Sequence, residues 1–538
     1  MRAIPLIFLT LTLATYGFSQ GIPVTDPLVV SKCASCHAQD ERGIMQRISF
    51  ERTTPEAWQE ILKRMIGAHG VSVTPVEARG IVKYLSDRHG LAPQEAKAVA
   101  YDTERRVHEE TNIPSESLKT ACARCHGFAR ALSWRRSPED WKLFLDEHAA
   151  ANKVASQEAI DYLAKAAPLH NAEYDAWNAR AETRPLAGRW EVVASTNGHA
   201  KYYGEMQITS TGTDEFETRM VLISIQDGTE VLRSGRSAVY GGSAWRGRSK
   251  GSEAPKGPAD LLNETREVMS IAANQATIEG RWFWGQYQEF GMDVRMVPDT
   301  RAPVLLTVQP SALRRGTEAD RLRLLGNNFP ADVPAAVLSF GDGVTLRKVI
   351  SSQPHEIVVE VDVAANAPMG PRFLLAGRSS LPDGLIVYDR IDYIKAVPDA
   401  AMASFADKTH AAGYQKLEAI GYQRGSDGKL HTADDLDLGP VDADWRVDVF
   451  YTPEGSDSSR VASMSAGGLL TPAAVSPGTN FDVWVVATAK SALDKDGQAL
   501  VGKSYVVVTV PTYMFNGRQF IRDLDRWVDD GPAQETTK

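Results

Sequence analysis

All four cysteines of this 538-residue chain lie in two copies of one five-residue pattern, Cys-x-x-Cys-His. The first copy is Cys33-Ala34-Ser35-Cys36-His37 and the second is Cys122-Ala123-Arg124-Cys125-His126. In this pattern both thiols form thioether bonds to the vinyl groups of a haem, and the histidine becomes the proximal iron ligand. The sequence therefore predicts two covalently bound c-type haems and a chain that carries electrons.

Other chemistries use similar cysteine pairs. A four-cysteine zinc site also draws on two Cys-x-x-Cys pairs, and paired cysteines can form disulfides or a dithiol redox centre. Here the two pairs begin 89 residues apart, and a histidine directly follows each pair. This arrangement favours haem over zinc.

The N-terminus has the composition of a secretory signal peptide, which we expect to cover residues 1–20. Arg2 precedes an apolar run from Ile4 to Ala14, and small residues follow at Gly17 and Ser19. The run is shorter than the roughly 20 residues that span a bilayer as a helix. We therefore expect a periplasmic protein with no membrane anchor. A net charge of −9 argues against a nucleic-acid partner.

An internal duplication organises the region after the signal peptide. The segment that starts Thr54-Pro55-Glu56 and reaches Trp58 matches the segment that starts Ser137-Pro138-Glu139 and reaches Trp141. In each, a hydroxyl residue precedes a proline, which is typical of a helix N-cap followed by the first helical position. A second helix is expected after each, the first of them opening with the capping box at Thr74 and Glu77. The pattern predicts a small cytochrome c unit used twice.

The duplication also nominates the distal iron ligands. Met65 and His148 each lie seven residues after the paired tryptophan, and the same 83-residue offset separates them. His69 is the alternative for the first haem, but its counterpart is Asn152, which does not bind iron. Met65 as a core residue and His148 as a surface residue are the competing interpretations. Methionine ligation raises the reduction potential, so we expect electrons to run from a bis-histidine second haem to a His/Met first haem.

The rest of the chain shows the alternating pattern of strands. The predicted fold class is multidomain α + β, with an N-terminal all-α dihaem cytochrome c domain followed by three all-β domains. One would be an antiparallel sheet or barrel and two would be immunoglobulin-like sandwiches. The expected boundaries are 21–182 for the haem domain, then 183–299, 300–397 and 398–538.

Two further groups of residues have weaker signals. Arg47, Arg52, Arg135 and Arg136 occur at similar places in the two repeats, and they are candidates either for haem propionates or for a solvated basic loop. Residues 425–437 space acidic side chains like a calcium loop but lack its terminal glutamate, which favours a polar turn. We find no residue pattern for carbon chemistry, so no catalytic residue is assigned.

The whole mature chain resembles the large α subunit of the bacterial quinohaemoprotein amine dehydrogenases. The resemblance includes both haem motifs, Arg64-Met65 with His69-Gly70, and the segment 82–85. It implies a heterotrimer with a β-propeller subunit and a small subunit that bears cysteine tryptophylquinone, where primary amines are oxidised. The present chain would pass electrons from that quinone to a soluble periplasmic copper protein or small cytochrome c.

Two alternatives come from other classes of protein. A dihaem peroxidase needs one haem with an open distal position, and the candidate ligands Met65 and His148 argue against it. A free-standing dihaem electron carrier would use the β domains only as a scaffold. Co-purification with two further subunits would favour the dehydrogenase over both alternatives.

Overall fold

The computed structural model describes residues 21–104, 112–123, 126–152, 157–180, 185–285, 290–408, 410–449 and 458–511. The predicted signal peptide and Cys125 lie outside these residues. The described part of the chain is mostly β, with 43% of its residues in strands and 20% in helices.

The described α-helices lie in the N-terminal third of the chain. Thr54 caps α2 by accepting a hydrogen bond from the Ala57 amide, and Ser137 caps α7 by accepting one from the Asp140 amide. The predicted capping box at Thr74 and Glu77 is present at the start of α3. The helix bounds are α1 Pro27–Cys33, α2 Pro55–His69, α3 Pro75–Arg88, α4 Pro93–Lys97, α5 Glu116–Cys122, α6 Phe128–Leu132, α7 Pro138–Asn152, α8 Gln157–Ala166 and α9 Ala172–Asn178.

The prediction of an all-α haem domain is wrong. Two short strands, β1 (Glu51–Arg52) and β2 (Arg135–Arg136), pair antiparallel and join the two repeats. A 3-10 helix at Ile48–Phe50 and an isolated bridge between Gln39 and Met45 add further non-α backbone. The proline that starts each helix drives the residue before it, Thr54 or Ser137, towards extended backbone, so the helix does not extend back into β1 or β2. The helical pattern therefore stops short of the segments that pair.

The next region is an antiparallel barrel, and it is closed. Its strands follow the order β10-β3-β4-β5-β6-β7-β8-β9. Large side chains fill the interior, among them Trp190, Trp245 and Trp282, each less than 5% exposed. The strands are β3 Gly188–Thr196, β4 His199–Gly212, β5 Glu215–Ser224, β6 Glu230–Tyr240, β7 Ala244–Gly251, β8 Thr265–Ile271, β9 Ile278–Trp284 and β10 Phe290–Pro298.

Two four-stranded sheets follow and share one apolar core. Their orders are β11-β13-β16-β15 and β12-β18-β17-β14, and Leu324, Val359 and Leu374 lie fully buried in the core. The strands are β11 Val304–Gln309, β12 Ala312–Arg314, β13 Asp320–Asn327, β14 Leu338–Ser339, β15 Val344–Gln353, β16 Glu356–Val363, β17 Gly370–Ala376 and β18 Ser379–Tyr388.

The last region contains three smaller sheets, ordered β19-β22-β23, β20-β28-β27-β24 and β21-β26-β25. The immunoglobulin-like assignment and the domain boundaries stay predictions. The strands are β19 Tyr393–Val397, β20 Ala400–Ser404, β21 Gln415–Lys416, β22 Glu418–Gln423, β23 Leu436–Pro440, β24 Ala443–Val449, β25 Ala462–Met464, β26 Leu469–Pro472, β27 Phe481–Leu493 and β28 Ala499–Thr509.

The barrel packs directly against the first repeat of the haem region. Tyr240 at the end of β6 belongs to the same apolar core as Trp58 and Leu62 of α2. At the start of α2, the buried carboxylate of Glu56 binds Arg246 of β7 at 2.5 Å and Arg266 of β8 at 2.7 Å. Burial would raise the pKa of Glu56, but the two arginine charges outweigh it and lower the pKa. The barrel is therefore one wall of the haem region.

Candidate haem sites

The two predicted proximal histidines are held in the same way. His37 lies with Nδ1 3.2 Å from the carbonyl oxygen of Gln46, and His126 lies with Nδ1 3.0 Å from that of Gly127. A hydrogen bond from Nδ1–H to a carbonyl leaves Nε2 as the nitrogen available to a metal. Burial lowers the pKa of His126 and so favours the neutral imidazole that binds iron.

The residues predicted for the second haem line one cavity of about 670 Å³. Cys122 enters from the end of α5, His126 follows it, and His148 enters from α7. Cys122 is buried, and burial raises the pKa of its thiol. Cys125 is the one member of this set that lies outside the described residues. The structure thus brings together a thiol and two imidazoles that lie 26 residues apart or less in the sequence.

Aromatic and apolar side chains form the rest of this cavity's second-repeat wall. Trp141, Phe144, Leu145 and Leu163 all line it. The Phe144 ring stacks on the His148 ring, with centroids 5.6 Å apart and an interplanar angle of 23°. Such a mostly apolar cavity with a few polar groups, between about 300 and 1,000 Å³ in size, is typical of a cofactor site. The residues present therefore fit a haem.

The residues predicted for the first haem occupy a different place. Cys33 ends α1 and is half-buried at the edge of the core that contains Trp58, whereas Cys36 is exposed. The amides of Cys36 and His37 both donate to the carbonyl of Cys33, at 3.2 and 2.9 Å, which makes the motif a compact turn. Burial, and secondarily the electrostatic influence of Cys36, raises the pKa of the Cys33 thiol.

The two candidates for the first distal ligand differ in exposure. Met65 is half-buried, while His69, the last residue of α2, is exposed. Neither residue, nor the first haem motif, lines the 670 Å³ cavity of the second site. The choice between Met65 and His69 stays a prediction.

Helix α2 contributes to the second cavity, which the sequence did not suggest. Its residues Ala57, Glu60, Ile61 and Arg64 line the cavity of the second site, although the helix belongs to the first repeat. The opposite face carries Trp58 and Leu62 into the first core. One helix therefore separates the two candidate haem sites.

Two of the arginines considered for propionates share one buried protein carboxylate. Arg52 holds Glu95 through two bonds of 2.8 and 2.9 Å, and Arg135 binds the same carboxylate at 3.0 Å. Burial would raise the pKa of Glu95, but the hydrogen bonds and charge of Arg52, with Arg135, lower it to about 2. Arg47 forms an exposed pair with Glu147 at 3.0 Å. Only Arg136 of the four lines the cavity.

In the acidic loop at 425–437, backbone amides of the loop donate hydrogen bonds to its carboxylates. The Asp434 carboxylate accepts from the Asp427 amide, and the Asp435 carboxylate accepts from the amides of Gly425 and Thr432. In the part of the chain that the structure describes, no group of three or more His, Cys, Asp or Glu side chains could hold a metal ion. No described helix is long and apolar enough to cross a membrane.

Comparisons with known proteins address the whole chain. Four family models match it in succession: the haem-binding domain of the quinohemoprotein amine dehydrogenase alpha subunit at 24–174, then that subunit's domain II at 183–299, domain III at 302–389 and domain IV at 394–518. A search of curated proteins finds no match.

Solved structures give only distant similarities. A redesigned β-barrel covers 21% of this chain and 91% of its own, at 10% identity and a TM-score of 0.17. A designed fluorescence-activating barrel covers 21% and 94%, at 16% identity and a TM-score of 0.17. Four immunoglobulin domains of Sidekick-1 cover 61% and 97%, at 10% identity and a TM-score of 0.13. These scores carry no argument about fold or function.

The four matched domains run in order from residue 24 to residue 518, and the first of them contains both haem motifs. The chain belongs to the quinohemoprotein amine dehydrogenase alpha-subunit family.

Proposed function

We propose that this chain is the electron-transfer subunit of a periplasmic quinohaemoprotein amine dehydrogenase. It would carry two c-type haems and pass electrons from a quinone on a partner subunit to a soluble acceptor. The observation that carries the proposal is the convergence of Cys122, His126 and His148 on one cavity within the family's haem-binding domain. Bound haem iron supplies one-electron chemistry, which these protein side chains lack.

Within this proposal, the chain's own residues bind and orient the two haems. Cys33, Cys36, Cys122 and Cys125 form the thioethers, and His37 and His126 are the proximal ligands. Met65 is the first distal ligand, with His69 as the alternative, and His148 is the second. Because thioethers attach each haem to a motif on the end of a helix, the group cannot leave when its redox state changes.

The partners follow from the family. We propose a heterotrimer with a β-propeller subunit and a small subunit that bears cysteine tryptophylquinone, where a primary amine is oxidised. The acceptor would be a periplasmic copper protein or a small cytochrome c. Residues 1–20 would direct export, and the β domains at 183–299, 300–397 and 398–538 would form the scaffold on which the partners assemble.

The test is amine-driven reduction of the haems in the native complex. We expect the tagged chain to purify from periplasm with two further subunits, and added primary amine to reduce its haems without any other donor. Cys122→Ser should lower the haem content from two per chain to one or abolish export of the holoprotein, as read from pyridine haemochrome content and mass. A chain that purifies alone, stays oxidised with amines and turns over peroxide would contradict the proposal.

A further inference from the structure

The two repeats differ in a buried cation at the β1–β2 pair. Arg52 and Arg135 stand at matching positions, 83 residues apart, and both bind Glu95. The next position is Thr53 in the first repeat and Arg136 in the second. Thr53 carries no charge, and its hydroxyl already donates to the carbonyl of Ser133 at 2.8 Å. The second repeat therefore has an arginine for which the first has no equivalent.

Arg136 is buried in the wall of the second cavity. Only 7% of its side chain is exposed, and it lines the same cavity as His126 and His148. Its guanidinium carbon lies 4.7 Å from the centre of the Trp134 ring and 4.6 Å from that of Phe144. These aromatic faces fix the guanidinium plane by cation–π contact. The cation is thus held rigidly beside the predicted haem.

One side of this guanidinium is paired and the other is not. Nη1 donates to the Glu51 carboxylate, across the β1–β2 pair. Nε is buried and has no hydrogen-bond partner among the described residues. In the described part of the chain, only Nη1 of this guanidinium has a carboxylate partner, and the side chain lines the cavity, so it still has donors to offer a carboxylate there. Arginine is also the side chain best suited to bind a carboxylate.

We propose, on the basis of the function above, that Arg136 is a positioning residue for the second haem. Its guanidinium binds a propionate carboxylate of that haem, and the opposing charges of Arg136 and Glu51 together set the haem's reduction potential. Reduction adds one electron, delivered by the quinone partner, and lowers the charge on the iron by one. A nearby cation stabilises the reduced form and a nearby anion stabilises the oxidised form.

The proposal predicts opposite shifts from the two members of the pair. In Arg136→Leu, loss of the cation lowers the reduction potential of the second haem. The expected change is about tenfold in the equilibrium ratio of reduced to oxidised haem, which equals about 59 mV for one electron. In Glu51→Gln, loss of the anion raises that potential. Arg136→Lys keeps the positive charge, so its second-haem potential should lie closer to the wild-type value than that of Arg136→Leu.

The measurement is a spectroelectrochemical titration of the purified holo-complex, in which each haem gives its own midpoint potential. The midpoint potential of the first haem should be unchanged in every variant. Arg47→Leu is the matched control, because Arg47 pairs with Glu147 on the surface, where both side chains are 54% exposed and solvent screens the charge. It should move neither potential.

Shifts of the same sign in Arg136→Leu and Glu51→Gln, or equal shifts of both haems, would overturn the proposal, because a merely structural role predicts them. If Arg136→Leu does not accumulate, Glu51→Gln alone decides the matter: a raised second potential supports the proposal and an unmoved one refutes it. A wild-type chain without two one-electron waves would instead refute the proposed function and this inference with it.

Discussion

The candidate distal ligands are the side chains that most distinguish the two haem sites. Met65 and His148 occupy matching places on α2 and α7, but only His148 lies in the cavity that the structure describes. A thioether sulfur stabilises reduced iron more than an imidazole does, so this single difference is enough to give two unequal potentials. His69, one turn further along α2, is exposed.

Replacing Met65 tests its role directly. We expect Met65→His to lower the reduction potential of the first haem and to leave that of the second haem unchanged. The ratio of reduced to oxidised first haem should fall by about tenfold or more. A redox titration of the holoprotein measures both. His69→Ala is the control and should change neither potential. If His69→Ala shifts the first haem and Met65→His does not, His69 is the ligand.

In each repeat a tryptophan on one helix donates a hydrogen bond to the residue that follows the next helix. The Trp58 indole on α2 donates to the carbonyl of His89, the residue that follows α3, at 3.0 Å. The Trp141 indole on α7 donates to the carbonyl of Ala167, which follows α8, at 2.8 Å. Both tryptophans are 1% exposed. Each of these carbonyls also accepts a backbone amide, that of Thr53 or Arg136, so the indole supplies a second donor at the end of the helix.

Removing either indole N–H should destabilise its own repeat. We expect Trp58→Phe and Trp141→Phe each to lower the free energy of unfolding by about 1–3 kcal/mol, because a buried hydrogen bond is lost and the smaller ring leaves a void. Denaturant unfolding followed by helical circular dichroism measures the change. Leu62→Met and Leu145→Met alter the same two cores without removing a hydrogen bond, and they should cost less than about 1.5 kcal/mol. Equal losses in the Phe and Met variants would show that packing alone matters.

A buried acid joins the barrel to the sheets that follow it. Glu191 of β3 is 1% exposed and accepts two hydrogen bonds from the Asn327 amide at the end of β13, at 2.9 and 3.1 Å. Burial raises the pKa of Glu191 to about 7, and the Asn327 bond offsets this only in part. The folded protein therefore holds a proton between about pH 4.5 and 7 that the unfolded chain releases.

The raised pKa of Glu191 predicts that a neutral replacement stabilises the protein by an amount that depends on pH. The stability that protonated Glu191 contributes is complete below pH 4.5 and is lost as the pH rises through 7. Glu191→Gln removes the charge, so we expect it to stabilise the protein at pH 8 by up to about 3 kcal/mol and to change little at pH 4. Thermal or denaturant midpoints at several pH values measure the difference between variant and wild type. A difference that is the same at every pH would contradict the assignment.

Local signals predicted the features that depend on a few neighbouring residues. Thr54-Pro55 and Ser137-Pro138 place helix starts where the structure has them, because a cap and its proline act within one turn. The same prolines stop each helix from extending back into β1 or β2, which the all-α prediction overlooked. Nothing local indicates that those residues pair across the repeats, since β1 and β2 lie more than 80 residues apart.

The sequence by itself determined the family, through motifs whose residues are adjacent in the chain: two Cys-x-x-Cys-His segments and a repeated helix start. Only the tertiary structure decided that the strands at 188–298 close into a barrel, that α2 also lines the second cavity, and that Arg52 and Arg135 share Glu95 while Arg136 faces that cavity. The physical reason is range. Covalent attachment and capping are set by neighbours, whereas a cavity and its charges arise only when distant segments pack together.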